Sequence, residues 1–158
     1  MVSGKRLVAR RDNMYYRYIF TAMATLSEEH IAELVDRFYA RVRGDELLGP
    51  IFEAAIGDEW IPHLTKMRAF WSTVMLASRT YKGNPMIAHL NLPRLTREHF
   101  DRWLEIWRQT AGELYAEPVA GQFIQKAEMI AERLLETISL YHQPRSVVSG
   151  NLEQQIAN

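Results

Sequence analysis

The sequence predicts an all-α protein, and three observations carry that prediction. Apolar residues recur at offsets of three, four and seven in four long stretches, no segment alternates apolar and polar with a period of two, and capping residues stand where the stretches begin. Ser27 is a good N-cap, and Glu28 and Glu29 follow it in the first turn, where the helix dipole favours acids. Ile31, Leu34, Val35, Phe38 and Val42 then mark one face of a helix that Gly44 ends. Residues 47–57 hold Gly49-Pro50 and Phe52 and read as a short connection. A second helix is predicted from about residue 59 to 77, with Pro62 tolerated because it falls in the first turn. Residues 78–85, with Gly83 and Pro85, read as loop, and residues 86–91 as one or two helical turns stopped by Pro93. Thr96 caps a third long helix running to about Leu114, with Phe100, Trp103, Leu104 and Trp107 on one face. The last helix starts near Pro118, and its stripe is Phe123, Ala127, Ile130, Leu134, Ile138 and Tyr141. The expected core is thus four long helices and a short one.

Bulk composition narrows the function. The 158 residues suffice for one domain, expected over residues 27–143, between an N-terminal extension (1–26) and a polar C-terminal tail (144–158). Formal net charge is +0, from 19 basic and 19 acidic side chains, which gives no electrostatic pull toward nucleic acid. With Cys 0, disulfides, cysteine-ligated zinc, iron–sulfur clusters and thiolate-bound haem are excluded, as is a cysteine nucleophile. No apolar run approaches the roughly 20 residues of a membrane span. Arg17 interrupts the aromatic stretch near the start, which argues against a secretory signal, so a cytoplasmic location is expected. HExxH, a Gly-rich phosphate loop and GxSxG are absent, as is the ExxH pair of a di-iron bundle.

Two histidines concentrate the remaining chemistry. His89 lies among Ile87, Leu90 and Leu92, in a segment that Pro85 and Pro93 stiffen. Such a histidine is either an iron ligand or a core residue bonded to a backbone carbonyl. His63 shares a helix face with Met67, Phe70 and Val74, at offsets of four, seven and eleven, and either stands at a pocket entrance or makes a capping contact. A neutral imidazole binds iron well, and two of them facing across an aromatic pocket would bracket a haem. The irregular middle of the chain agrees with a globin-like packing, in which one element turns a ligand toward a central cofactor. Tyr39, about 100° around its helix from Phe38, buries its ring at the edge of the core face and gives its hydroxyl to a carbonyl or to a ligand. Trp103 belongs to the core or to a cofactor box, and its indole N–H needs an acceptor if buried. Lys66 is either solvated or reaches a haem propionate from the pocket rim.

Four strings, in order and with matching gaps, carry a family resemblance: RFYARVRGDELLGPIFEAAI (37–56), WIPHLTKMRAFW (60–71), YKGNPMIAHLNL (81–92) and HFDRWLEIW (99–107). They hold Phe38-Tyr39, Trp60-x-x-His63, Phe70-Trp71 and Tyr81-x-Gly83-x-Pro85-x-x-x-His89. From Leu34 to about Tyr141 the chain resembles a truncated haemoglobin of group III, and it has no adjacent glycines, as members of that group lack the glycine pairs of the other two. The resemblance implies a truncated globin fold, a two-over-two helical sandwich around haem, with an N-terminal extension. It implies His89 as the proximal iron ligand and Tyr39, His63 and Trp103 as the distal pocket. Phe38, Phe52, Lys66, Met67, Phe70, Trp71, Tyr81 and Leu92 would contact the cofactor. The cofactor implied is haem b (iron protoporphyrin IX), held non-covalently because CxxCH attachment requires cysteine. The expected ligands are O₂, CO, NO or similar small molecules. The expected chemistry is ligand retention and redox work on NO or peroxide, as an NO dioxygenase or peroxidase-like enzyme with an unidentified electron donor. A cofactor-free helical interaction module is the alternative.

Overall fold

The computed structural model describes residues 14, 16, 17, 25–92 and 95–142. Most of the expected extension, Pro93 and the expected tail lie outside them. Among the described residues there are six helices, α1 Glu28–Arg43, α2 Gly49–Ile56, α3 Trp60–Leu76, α4 Pro85–Leu90, α5 Arg97–Leu114 and α6 Val119–Tyr141, and no strand. None of these helices is long and apolar enough to cross a membrane. α1 packs on α3 and on α5, α5 packs on α6, and α4 leans on α6. The result is the two-over-two sandwich, α1 with α3 and α5 with α6.

Local chemistry sets the helix boundaries. Ser27 accepts from the His30 N–H, and His30 Nδ1 accepts in return from the Ser27 N–H at 3.2 Å, so two otherwise unpaired donors are satisfied. Thr96 and His99 repeat the device at the start of α5, where the Thr96 N–H donates to His99 Nδ1 at 3.0 Å. Asn84 caps α4 by accepting from the N–H groups of Met86 and Ile87.

One expectation is corrected. The connection predicted over 47–57 contains α2, an eight-residue helix. Pro50 sits in its first turn, where a missing N–H costs nothing. Gly49 is seated against the end of α1, and a Cβ there would stand 2.7 Å from the Arg43 carbonyl oxygen, so the dipeptide that reads as a turn is a helix start at a close approach. Asp45 fixes this corner by accepting from the Leu47 and Leu48 N–H groups at 3.1 and 3.0 Å and from Arg102 at 2.7 Å.

The predicted stripe of α1 is buried throughout, as are Phe123, Ala127, Leu134 and Ile138 of α6. Tyr141, expected on the α6 stripe, is 65% exposed at the last helical residue, next to the equally exposed Leu140. The core centre is aromatic. Trp71 and Trp107 stack with centroids 4.2 Å apart at 20°, and Trp103 lies parallel to Trp107 at 5.6 Å. Phe38 meets Trp103 and Trp107 edge-on at 5.2 and 4.9 Å.

Candidate functional site

A cavity of ≈ 290 Å³ opens between the two helix pairs, bounded by α1, α2, α3, the 81–92 segment, α5 and α6. It lies near the lower end of the roughly 300–1,000 Å³ usual for small-molecule and cofactor sites. A larger groove between the start of α5 and the end of α6 is open to solvent, and the Arg97–Glu132 ion pair occupies its rim. The smaller, better-enclosed cavity is the one that histidine, tyrosine and lysine side chains line.

Eleven of the twelve residues singled out in the sequence line this cavity: Tyr39, Phe52, His63, Lys66, Met67, Phe70, Trp71, Tyr81, His89, Leu92 and Trp103. Phe38 does not. It is fully buried one layer behind, edge-on to Tyr39 at 5.0 Å, because adjacent helical positions point about 100° apart and Tyr39 takes the cavity side. The wall also includes Ile51, Ala55 and Ile56 of the missed helix α2, and Ala88, Leu95, His99, Phe100, Ile130 and Leu134. The apolar periodicity of α5 and α6 marks Phe100, Ile130 and Leu134 as buried. Nothing in a single sequence tells core from cavity wall.

α4 delivers His89. Its Nδ1 lies 2.6 Å from the Pro85 carbonyl oxygen one turn back. A carbonyl only accepts, so Nδ1 carries the proton and Nε2 keeps its lone pair. Tyr81, upstream, meets Phe70 edge-on at 5.2 Å, and its ring lies over Gly83, where a Cβ would collide with it.

On the other side, His63 occupies the first turn of α3. Its backbone N–H serves the helix, donating to the Glu59 carbonyl at 2.9 Å. Its side chain makes no capping contact: Nε2 is buried and has no hydrogen-bond partner among the described residues. Burial lowers its pKa to about 4, helped by the positive charge of Lys66 and by His89, so the ring is neutral at physiological pH. The Tyr39 hydroxyl and the Trp103 indole N–H likewise lack a hydrogen-bond partner among the described residues. Tyr39 is 5% exposed, and burial pushes its phenol well above the usual range, which keeps it an O–H donor. Trp107, by contrast, spends its indole N–H on the Phe123 carbonyl at 3.2 Å.

Buried polar groups are ordinarily paired, and an unpaired one costs about 1–3 kcal/mol. One cavity therefore collects the buried, unpartnered His63 Nε2, the Tyr39 hydroxyl, the Trp103 indole and a histidine whose tautomer exposes a lone pair. That donor set suits a flat, largely apolar group carrying a metal. Among the described residues there is no cluster of three His, Cys, Asp or Glu able to hold a bare metal ion.

Comparison with known proteins agrees. The family model for bacterial-like globins matches residues 21–130. The chain is 37% identical over 120 residues to the group 3 truncated hemoglobin ctb of Campylobacter jejuni, covering 74% of this chain and 94% of that protein. It is 28% identical over 103 residues to the group 2 truncated hemoglobin YjbI of Bacillus subtilis, covering 63% and 75% of the two. The crystal structure of the group III truncated hemoglobin from Campylobacter jejuni superposes with a TM-score of 0.69 at 37% identity, over 72% of this chain and 92% of that one. The chain belongs to the bacterial-like globins, within the truncated haemoglobins of group III. Haem-based binding of small diatomic ligands comes with that family.

Proposed function

We propose that the chain holds haem b non-covalently through His89 and binds O₂, CO or NO on the side of Tyr39, His63 and Trp103, retaining the ligand for redox chemistry with NO or peroxide rather than delivering O₂. The observation that carries this reading is the pair of histidines bordering one cavity, His89 with its Nε2 lone pair free and His63 with a buried, unpartnered Nε2. Haem, when bound, supplies an iron centre that takes up diatomic ligands and exchanges electrons. The protein's share is direction, donation and exclusion of water. The Pro85 carbonyl fixes the His89 ring and raises the basicity of its free nitrogen. Met67, Phe70, Trp71 and Phe52 give apolar walls, and Lys66 at the rim offers its ammonium to a carboxylate of the cofactor. The Tyr39 O–H and the Trp103 N–H are donors on residues that line the same cavity and are held by the fold, so a ligand that gains negative charge at the site takes hydrogen bonds from groups already placed. Two such bonds favour holding the ligand over releasing it. CO, less polar, gains less. Repeated turnover draws on an electron donor outside this cavity.

The test is a visible spectrum of the purified chain after haemin addition, with and without dithionite and CO. A strong Soret band that shifts on reduction and again with CO is expected. A chain that takes up no haemin would be a cofactor-free helical module instead.

A further inference from the structure

His63 is placed by packing, not by hydrogen bonding. Its Nε2 is unpartnered, and the ring is framed by Tyr39, edge-on at 5.1 Å and 87°, and by Trp60, edge-on at 5.9 Å and 81°. Trp60 is not on the cavity wall, yet it is only 8% exposed and firmly held. Its indole N–H donates to the Glu53 carboxylate at 3.0 Å. The Arg43 guanidinium stands 4.4 Å from its ring centroid and 3.9 Å from the same carboxylate. This cluster joins the end of α1, the middle of α2 and the start of α3. A charge-assisted hydrogen bond fixes the plane of the indole, and a cation over the ring fixes its outer face. The inner edge is what His63 leans on.

We propose that Trp60 is a positioning residue that braces the His63 ring toward the cavity, and that Glu53 and Arg43 hold Trp60 in place. The functional consequence rests on the haem reading; the brace itself does not. Releasing the indole lets His63 turn outward, which opens the space it fills beside Tyr39. Since about 1.4 kcal/mol is tenfold in a population, losing a bond of this type is worth roughly tenfold in the fraction of outward rings.

Two measurements on the full chain test this. In the haem-loaded protein, Trp60→Phe should speed CO association after flash photolysis by roughly tenfold. Glu53→Ala should do the same, while Glu53→Gln, which keeps an acceptor for the indole, should stay near the parent rate. In a His63→Leu background the Trp60→Phe effect should vanish. In the cofactor-free chain, NMR titration should find His63 near its depressed value of about 4, and Trp60→Phe should move it up toward the ordinary 6.5. CO rates and a His63 titration both unmoved by Trp60→Phe would overturn the brace. So would an acceleration that persists with Leu at 63, as general loosening of the fold would produce. Failure to bind haemin would sink the functional reading and leave the titration as the test of the brace.

Discussion

His89 stands on a six-residue helix with no buried residue, while His63 opens a 17-residue helix whose Trp60, Trp71 and Ser72 are buried. The first is tied down by hydrogen bonds, its ring to Pro85 and its helix to Asn84; the second is hemmed in by aromatic edges and makes no side-chain hydrogen bond among the described residues. A hydrogen bond sets direction and tautomer, as a metal ligand needs. Aromatic packing sets position and leaves the nitrogen free, as a group that meets a transient ligand needs. On the proposed reading, the two histidines divide permanent from temporary binding by the way each is restrained.

The sharpest way to break this comparison is to remove the tied histidine. His89→Ala should abolish or greatly weaken haem retention, read as Soret absorbance per chain after gel filtration; an unchanged spectrum would mean the walls had been assigned the wrong way round. Next come the two free donors. Tyr39→Phe and Trp103→Phe should each speed O₂ release in stopped-flow by about tenfold or more, because hydrogen bonds to a charged group are worth about 1.5–3 kcal/mol. If neither does, the pocket discriminates by shape alone.

Smaller effects probe the restraints. Asn84→Ala removes the cap of α4 at a cost of about 1 kcal/mol. It should hasten haem loss several-fold to a competing apoglobin while leaving CO association unchanged, since it loosens one wall only. The last prediction concerns acid. His63 has its folded pKa depressed to about 4 against an ordinary 6.5, so between those values the unfolded chain binds the extra proton. Its contribution to stability is present above about pH 6.5 and is lost as pH falls toward 4. Thermal melts of the cofactor-free chain should show this loss, and His63→Leu should flatten it.

Much of this was legible from residue order. The one-sided stripes of α1 and α5 mark the packed faces, and Ser27, Gly44 and Thr96 mark helix ends, because caps and periodicity are local signals. α2 was not legible. Gly49-Pro50 has the chemistry of a turn, and only the close approach of Gly49 to Arg43 makes it a helix start. Phe38 and Tyr39 show another limit: periodicity says both are near the core, but only the packing of α5 against α1 decides which faces the cavity. His99 opens one of the strings that carry the resemblance without a role of its own, and its place on the cavity wall follows from tertiary structure alone. Trp60 belongs to the pattern that carried the resemblance, yet its bond to Glu53 depends on a helix that the sequence reads as a connection.

The aromatic centre has an optical consequence. The chain holds Trp 4, and Trp71 and Trp103 line the cavity, Trp107 stacks on both, and Trp60 stands one ring behind His63. No indole lies remote from the cavity to contribute unrelated emission. Tryptophan emission of this protein is thus a local gauge of what the cavity contains: each of the four indoles lines the cavity or stands one ring behind its wall, close to an absorbing macrocycle placed there. Loading and loss can be followed by emission from the polypeptide itself, without relying on the absorbance of the pigment.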